Sequence, residues 1–474
     1  MGRWVKRIVL GAGIALVLLL VGAGWYLSDT LPISSGHTAK TICSNVFISG
    51  RDAENVFKED IAPVHFLFAI TGFKVDPEAK TVIADAFGFA KLRAIYRDGC
   101  GCTILRGIAE DKFRQQKIGY IPPRRYLPEQ RSKLPWPAGD HGPVVSLPPG
   151  IDAVKLDEAI DAAFAESNPQ NPRKTRAVVV VYDGKLIAER YAPGFDSNTP
   201  QLGWSMSKSV TNALVGVLVK KGKLQLNSPA PVPEWQQADD PRQNITLDHL
   251  MRMSAGLEFN EAYAPFSDAV YMFYDSHDFA AYAALKPLET EPDSKWNYSS
   301  GTANIITRIV RTAIEKEHGN YYEYLYRNLF YKIGMLSLVM EPDPSGTVVG
   351  SSYMFATPRD WARFGLLYLQ DGIWDGERIL PEGWVKYSTT PTSQAPKGEY
   401  GALFWLNAGA PGNPSDRLMP SVPRDVFYAR GFQEQRVFII PSRKLVLVRF
   451  GATSEKSAWS DDAFVADVLA AWPQ

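Results

Sequence analysis

Three observations predict a mixed α/β protein whose main domain shares one sheet between its two ends. A hairpin pattern opens that domain, with Ala177–Tyr182 and Lys185–Arg190 joined by Asp183-Gly184, a pair suited to a type I′ turn. A second hairpin, Arg436–Ile440 and Leu445–Phe450 across Pro441-Ser442-Arg443, closes the chain and is followed by a helical pattern from Ser460 to Trp472. The segments between them carry helical periodicity, as in Val210, Leu214, Val217 and Leu218.

Composition narrows the function classes. At 474 residues the chain exceeds one typical domain. Its 51 basic and 51 acidic residues cancel, so no charge footprint for nucleic acid exists. His37, His65, His141, His249, His277 and His318 are scattered without H-x-H or H-x-x-x-H spacing, and neither a metal nor another cofactor is expected.

In chain order, Arg3, Lys6 and Arg7 precede an uncharged apolar run from Ile8 to about Leu27. This polarity predicts a cytoplasmic N-terminus and an exported remainder, on the periplasmic or extracellular face. The length of the run and the lack of an Ala-x-Ala site favour a membrane anchor over residues 1–30, while Gly22-Ala23-Gly24 keeps signal cleavage open. Residues 31–134 read as a small accessory α+β unit, with a helix near Asp52–Glu59 and strands at Phe73–Val75, Lys80–Ala84 and on to Tyr96. In an oxidising compartment Cys43 can pair with Cys102 or with Cys100, leaving one thiol over; Cys43 and Cys102 are carried forward as the candidate disulfide. Pro122, Pro123, Pro128, Pro135, Pro137 and Gly139 mark an irregular linker, assigned to 135–146, and the main domain runs from 147 to 474.

Ser205-Met206-Ser207-Lys208 is the chain's one S-x-x-K and opens an amphipathic helix that Lys220, Lys221 and Gly222 terminate. Residues three apart share a helix face, so Lys208 can serve as base to Ser205, and the helix N-terminus favours developing negative charge. The competing reading is that Ser205 merely caps a core helix. Two further polar clusters abut regular elements. Trp296-Asn297-Tyr298-Ser299-Ser300-Gly301 precedes a helix with Ile305, Ile306, Ile309 and Val310, and offers Tyr298 as a proton-transfer group. Tyr428-Ala429-Arg430-Gly431-Phe432 precedes the last hairpin, where a backbone N–H can meet an oxyanion and Gly431 would allow close approach of substrate.

Several matches are set aside. Tyr326-Arg327-Asn328 and Lys332-Ile333-Gly334 fall within and at the end of a packed helix, Ser254 lacks a preceding strand, and His249 reads as structural. The aromatic stretch Tyr263–Tyr274 is either a pocket wall or ordinary packing.

Together these stretches resemble the penicillin-recognising serine hydrolases, the group holding class C β-lactamases, DD-peptidases, related esterases and 6-aminohexanoate-dimer hydrolases. The resemblance covers about residue 147 to the end and includes Ile245–Leu257, Gly350-Ser351-Ser352-Tyr353 and Thr357–Gly365. It implies an antiparallel sheet with flanking helices and a helical subdomain. It also implies Ser205 as acylated nucleophile, Lys208 as base, Tyr298 as proton relay, and backbone N–H groups of Ser205 and Phe432 as the oxyanion hole, with Ser300, Arg430 and Gly431 beside the substrate. Two positions depart from the family pattern. Ser300 replaces the amide of Y-x-N, and Ala429 replaces the cation of the third motif unless Arg430, on the opposite strand face by alternation, turns inward. The expected reaction is cleavage of a small ester or non-peptide amide through an acyl-enzyme. The alternatives are a β-lactamase or DD-peptidase, and a catalytically silent binding module on the same fold.

Overall fold

The computed structural model describes residues 2–120, 133–143 and 147–473, so Pro122, Pro123 and Pro128 of the expected linker lie outside the described residues. The apolar run does not end its helix near Leu27: a single helix, α1, spans Arg3–Phe47. Side chains from Ile8 to Trp25 are largely exposed, whereas Ile33, Ala39, Ile42 and Cys43 are buried. The boundary expected at residue 30 thus falls inside one helix. The helix continues because its second half packs on a four-stranded antiparallel sheet of β1 (Gly72–Asp76), β2 (Thr81–Ala86), β3 (Phe89–Arg97) and β4 (Gly101–Ile104). Cys43 and Cys102 form a disulfide between this helix and β4, and Cys100 is free and buried.

Polar links cross from this N-terminal part into the rest of the chain. Buried Glu341 accepts from Lys40, from the Ser44 hydroxyl at 2.8 Å and from the Cys102 backbone N–H at 2.7 Å. Arg176 reaches Asp60 at 2.6 Å.

The main sheet is antiparallel throughout, in the order β7-β8-β9-β10-β5-β6. Its strands are β5 (Thr175–Tyr182), β6 (Lys185–Tyr191), β7 (Trp405–Leu406), β8 (Phe427–Gly431), β9 (Gln435–Ile440) and β10 (Leu445–Gly451). The terminal hairpins meet at its centre, where β10 pairs with β5 and Val448 faces Val179. The left-handed φ values of Asp183 (+46°) and Gly184 (+77°) are those a type I′ turn requires. Helices cover both faces, which explains the unbroken valine run in β5. Val178 and Val180 join a core with α2 (Ala153–Phe164) and the C-terminal helix Asp461–Leu469, while Val179 and Val181 join the larger core on the other face.

That larger core surrounds α3 (Met206–Lys220). The expectation of an amphipathic helix fails here, because every residue from Met206 to Leu218 is buried. Its polar side chains are satisfied between layers. Ser209 donates to the Leu403 carbonyl at 2.8 Å, Thr211 to Gly350 at 3.0 Å and Asn212 to Ala402 at 2.8 Å. A helix with this pattern is held by hydrogen bonds on its polar side as well as by packing on its apolar side. The other helices named below are α4 (Asp268–Asp275), α5 (Ser300–His318) and α6 (Pro358–Leu369).

Candidate active site

Ser205 stands at the start of α3, after a sharp turn in which Trp204 adopts φ +48°. Its side chain makes no capping hydrogen bond, which argues against the capping reading. Instead Lys208 Nζ lies 3.0 Å from Ser205 Oγ, 3.0 Å from Ser300 Oγ and 3.2 Å from the Ser351 carbonyl oxygen. Lys208 is 1% exposed, so these three oxygens replace the water it would otherwise bind. Its amine also sits 4.6 Å from the centre of the Tyr298 ring.

Ser300 has a different place from the one expected. It is fully buried, and its hydroxyl donates to Glu261 at 2.5 Å while accepting from Lys208. Its backbone N–H donates to the other Glu261 oxygen at 2.7 Å, which sets the carboxylate at the N-terminus of α5, the favourable end for negative charge. Burial raises the Glu261 carboxyl above its ordinary range, and the Lys208 charge, 3.9 Å away, opposes that rise. Ser300 therefore orients Lys208 and is closed off from the cleft.

Glu261 carries no local signal in the sequence. Nor does Tyr263, whose stretch the pattern left between pocket wall and packing. Its ring is 45% exposed and lines the cleft with Ser205. Burial, reinforced by Glu261, holds this phenol well above its ordinary pKa. Tyr298 lines the same cleft, wedged by ring contacts at 5.7 Å to Tyr400 and 5.4 Å to Trp405.

The third stretch forms the opposite wall. Gly431 ends β8 and Phe432 follows it, both lining the cleft with Ser205, and the Phe432 ring meets Trp204 edge-on at 5.5 Å. Two consecutive left-handed residues follow, Gln433 (φ +59°) and Glu434 (φ +64°). Arg449 braces their carbonyls at 3.2 and 3.0 Å. The glycine at 431 answers a demand other than substrate approach: a β-carbon there would lie 2.1 Å from the Gly203 carbonyl oxygen. Arg430 does line the cleft although alternation puts it with Tyr428, because it stands at the strand end and its guanidinium lies 5.1 Å from the Trp405 ring. Glu434 is 4.0 Å from it.

The set-aside matches remain apart from the cleft. Ser254 is fully buried. His249 and Thr246 form a reciprocal cap at the start of Leu247–Met251. Among the described residues no cluster of His, Cys, Asp and Glu could hold a metal ion.

Comparison with known proteins identifies the fold and the family. The 6-aminohexanoate-dimer hydrolase of Paenarthrobacter ureafaciens is 25% identical over 318 residues, spanning 60% of this chain and 73% of that protein. A family VIII carboxylesterase shares the fold with a TM-score of 0.52 at 15% identity, over 68% of this chain and 97% of that one. So does a penicillin-binding protein homologue from Caulobacter crescentus, with a TM-score of 0.51 at 15% identity over 66% and 95%. Residues 160–470 match the family described as Beta-lactamase, and the chain, with its antiparallel sheet and flanking helices, belongs to that family of serine hydrolases.

Proposed function

We propose that the protein hydrolyses ester or amide bonds of small molecules through an acyl-enzyme on Ser205. The observation that carries this is the 3.0 Å approach of Lys208 Nζ to Ser205 Oγ at the floor of a cleft of about 380 Å³. As Ser205 Oγ attacks the carbonyl carbon, its proton passes to the unprotonated Lys208 amine. The two remaining N–H bonds of that amine point to Ser300 and Ser351, leaving its lone pair for Ser205. The backbone N–H groups of Ser205 and Phe432 receive the developing oxyanion. Tyr298, against the lysine, returns the proton to the leaving group, and water then releases the acyl group. Arg430 and Gly431 border the substrate.

Ala429 offers no cation, and Arg430, which does line the cleft, already has the Glu434 carboxylate 4.0 Å away to oppose a substrate carboxylate; this supports esters and non-peptide amides over β-lactams and D-Ala peptides. The related 6-aminohexanoate-dimer hydrolase points the same way. The exposed apolar half of α1 supports a membrane anchor with the catalytic domain exported, and the segments 31–134, 135–146 and 147–474 serve as accessory unit, linker and hydrolase domain.

Labelling the purified chain with fluorophosphonate and penicillin probes, and locating the adduct by mass, tests the nucleophile. An adduct on Ser205 is expected; no labelling by either probe would favour a silent binding module. A panel of nitrophenyl esters, aminohexanoate oligomers and a chromogenic cephalosporin tests the substrate, and rapid cephalosporin turnover would overturn the ester and amide preference.

A further inference from the structure

A second cavity, about 100 Å³, adjoins the catalytic cleft and shares Trp204, Tyr263 and Phe432 with the site around Ser205. Its remaining wall is apolar in effect. Ile33, Leu67, Phe68 and Val270 contribute hydrocarbon, and the hydroxyls of Thr30 and Ser34 are spent on carbonyls of their own helix, at 2.7 and 3.2 Å. His37 Nδ1 lies 2.8 Å from the Tyr274 hydroxyl, while its buried Nε2 has no hydrogen-bond partner among the described residues and is a polar exception in this lining. Such a lining favours hydrocarbon over water.

The position of this cavity says where its occupant comes from. One wall is α1 itself, from Thr30 to His37, directly beyond the exposed apolar half of that helix. Trp25 stacks on Phe266 at 5.2 Å with the rings 7° from parallel, and Tyr26 meets the same ring at 5.9 Å. Tryptophan and tyrosine at the end of an apolar span mark the level of lipid headgroups. Ile33 lies eight positions along the helix from Trp25, roughly 12 Å at helical rise. Phe66 and Ile70, 65% and 37% exposed, add apolar surface beside the cavity wall formed by Leu67 and Phe68.

We infer that this cavity holds the aliphatic chain of an amphiphilic ester or amide drawn from the membrane surface, with its reacting carbonyl presented to Ser205. This rests on the serine-hydrolase reading above and adds the substrate class. The chain enters beside Phe266, lies along Ile33 and Val270, and brings its polar end past Phe432 into the catalytic cleft.

The test uses the full chain in nanodiscs. Hydrolysis of nitrophenyl acetate, butyrate, octanoate and dodecanoate is measured alongside acetate esters of butanol, octanol and dodecanol. Burial of each added methylene predicts a gain in kcat/KM of at least about tenfold between four and eight carbons in one of the two series. Flat profiles in both would overturn the inference. Independently of turnover, Ser205→Ala protein is titrated with cis-parinaric acid, read by energy transfer from tryptophan against empty nanodiscs. Saturable binding that dodecanoate displaces, and that weakens at least fivefold in Ile33→Phe and Val270→Phe, supports the cavity as the chain site. Absence of binding while fluorophosphonate still labels wild-type Ser205 sinks this inference alone. Binding without labelling supports the aliphatic site and sinks the serine reading.

Discussion

Gly431 presses against Gly203: a β-carbon on the former would stand 2.1 Å from the carbonyl oxygen of the latter. Gly203 is itself closed in, since a β-carbon there would meet the Trp361 ring at 2.4 Å. The turn before Ser205 and the end of β8 are thereby locked together, and any shift in one displaces the other. Gly431→Ala is expected to lower thermal stability by about 1–3 kcal/mol through overpacking. It should lower kcat by about a hundredfold or more through displacement of the Phe432 N–H. Parallel melting curves and single-turnover kinetics check this; full activity would remove Phe432 from the oxyanion assignment.

Removing the nucleophile and its base should be strongly non-additive. Ser205→Ala and Lys208→Ala are each expected to cost about 10³-fold or more, and the double variant no more than the worse single one. Ser300→Ala leaves Ser205 and Lys208 in place but deprives the amine of an acceptor at 3.0 Å. A loss of about ten- to a hundredfold in kcat with little change in KM is expected from steady-state kinetics. An effect confined to KM would return Ser300 to the substrate side.

Two phenols flank the reacting atoms in different ways. Tyr298 lies against Lys208 through its ring, and Tyr263 lines the cleft with Ser205. Tyr298→Phe keeps the ring contact, so a fall in kcat of about 10²-fold or more would report proton transfer. Tyr263→Phe is expected to cost less, about tenfold, and mainly in acylation. A reversal of the two, measured by burst kinetics, would transfer the relay to Tyr263.

The ion pair Lys40–Glu341 tests how firmly α1 is seated. Both side chains are nearly inaccessible, and Glu341 also holds Ser44 and Cys102. Removing one partner strands a buried charge, so Lys40→Met should lower unfolding stability by about 3–5 kcal/mol. Lys40→Met combined with Glu341→Leu should recover much of that loss in the same denaturation assay.

Two buried groups make stability depend on pH in opposite senses. Burial, aided by Asp278, raises the Asp343 carboxyl to about 6, whereas burial lowers His37 to about 4. Between its unfolded and folded values Asp343 binds more protons in the native state, so its contribution declines as pH rises through that window. His37 binds fewer protons when folded, so its contribution grows as pH rises from about 4 to 6.5. Each is worth up to about 3 kcal/mol. Relative to wild type, Asp343→Asn should gain stability as pH rises from 4 to 6.5 and His37→Gln should lose it, as melting temperatures across that range will show. Slopes of the same sign would contradict the assignment.

What the sequence determined by itself was local. The Asp183-Gly184 turn, the valine run, the helix beginning at Ser205 and the stop at Gly222 follow from the stereochemistry and periodicity of adjacent residues, so both hairpins and the serine–lysine pair were legible. The hydrolase family was legible too, because its motifs recur in order. The tertiary structure decided what surrounds that pair. Ser300 turned from the substrate to Lys208 because Glu261, 39 positions away, accepts both its hydroxyl and its N–H. The apolar helix ran on to Phe47 because a distant sheet and Glu341, 301 positions from Lys40, supplied partners for its second half. Gly431 answered a carbonyl on another element. Contacts between residues far apart in the chain leave no period in its sequence; they exist only once the burial of the core has brought the elements together.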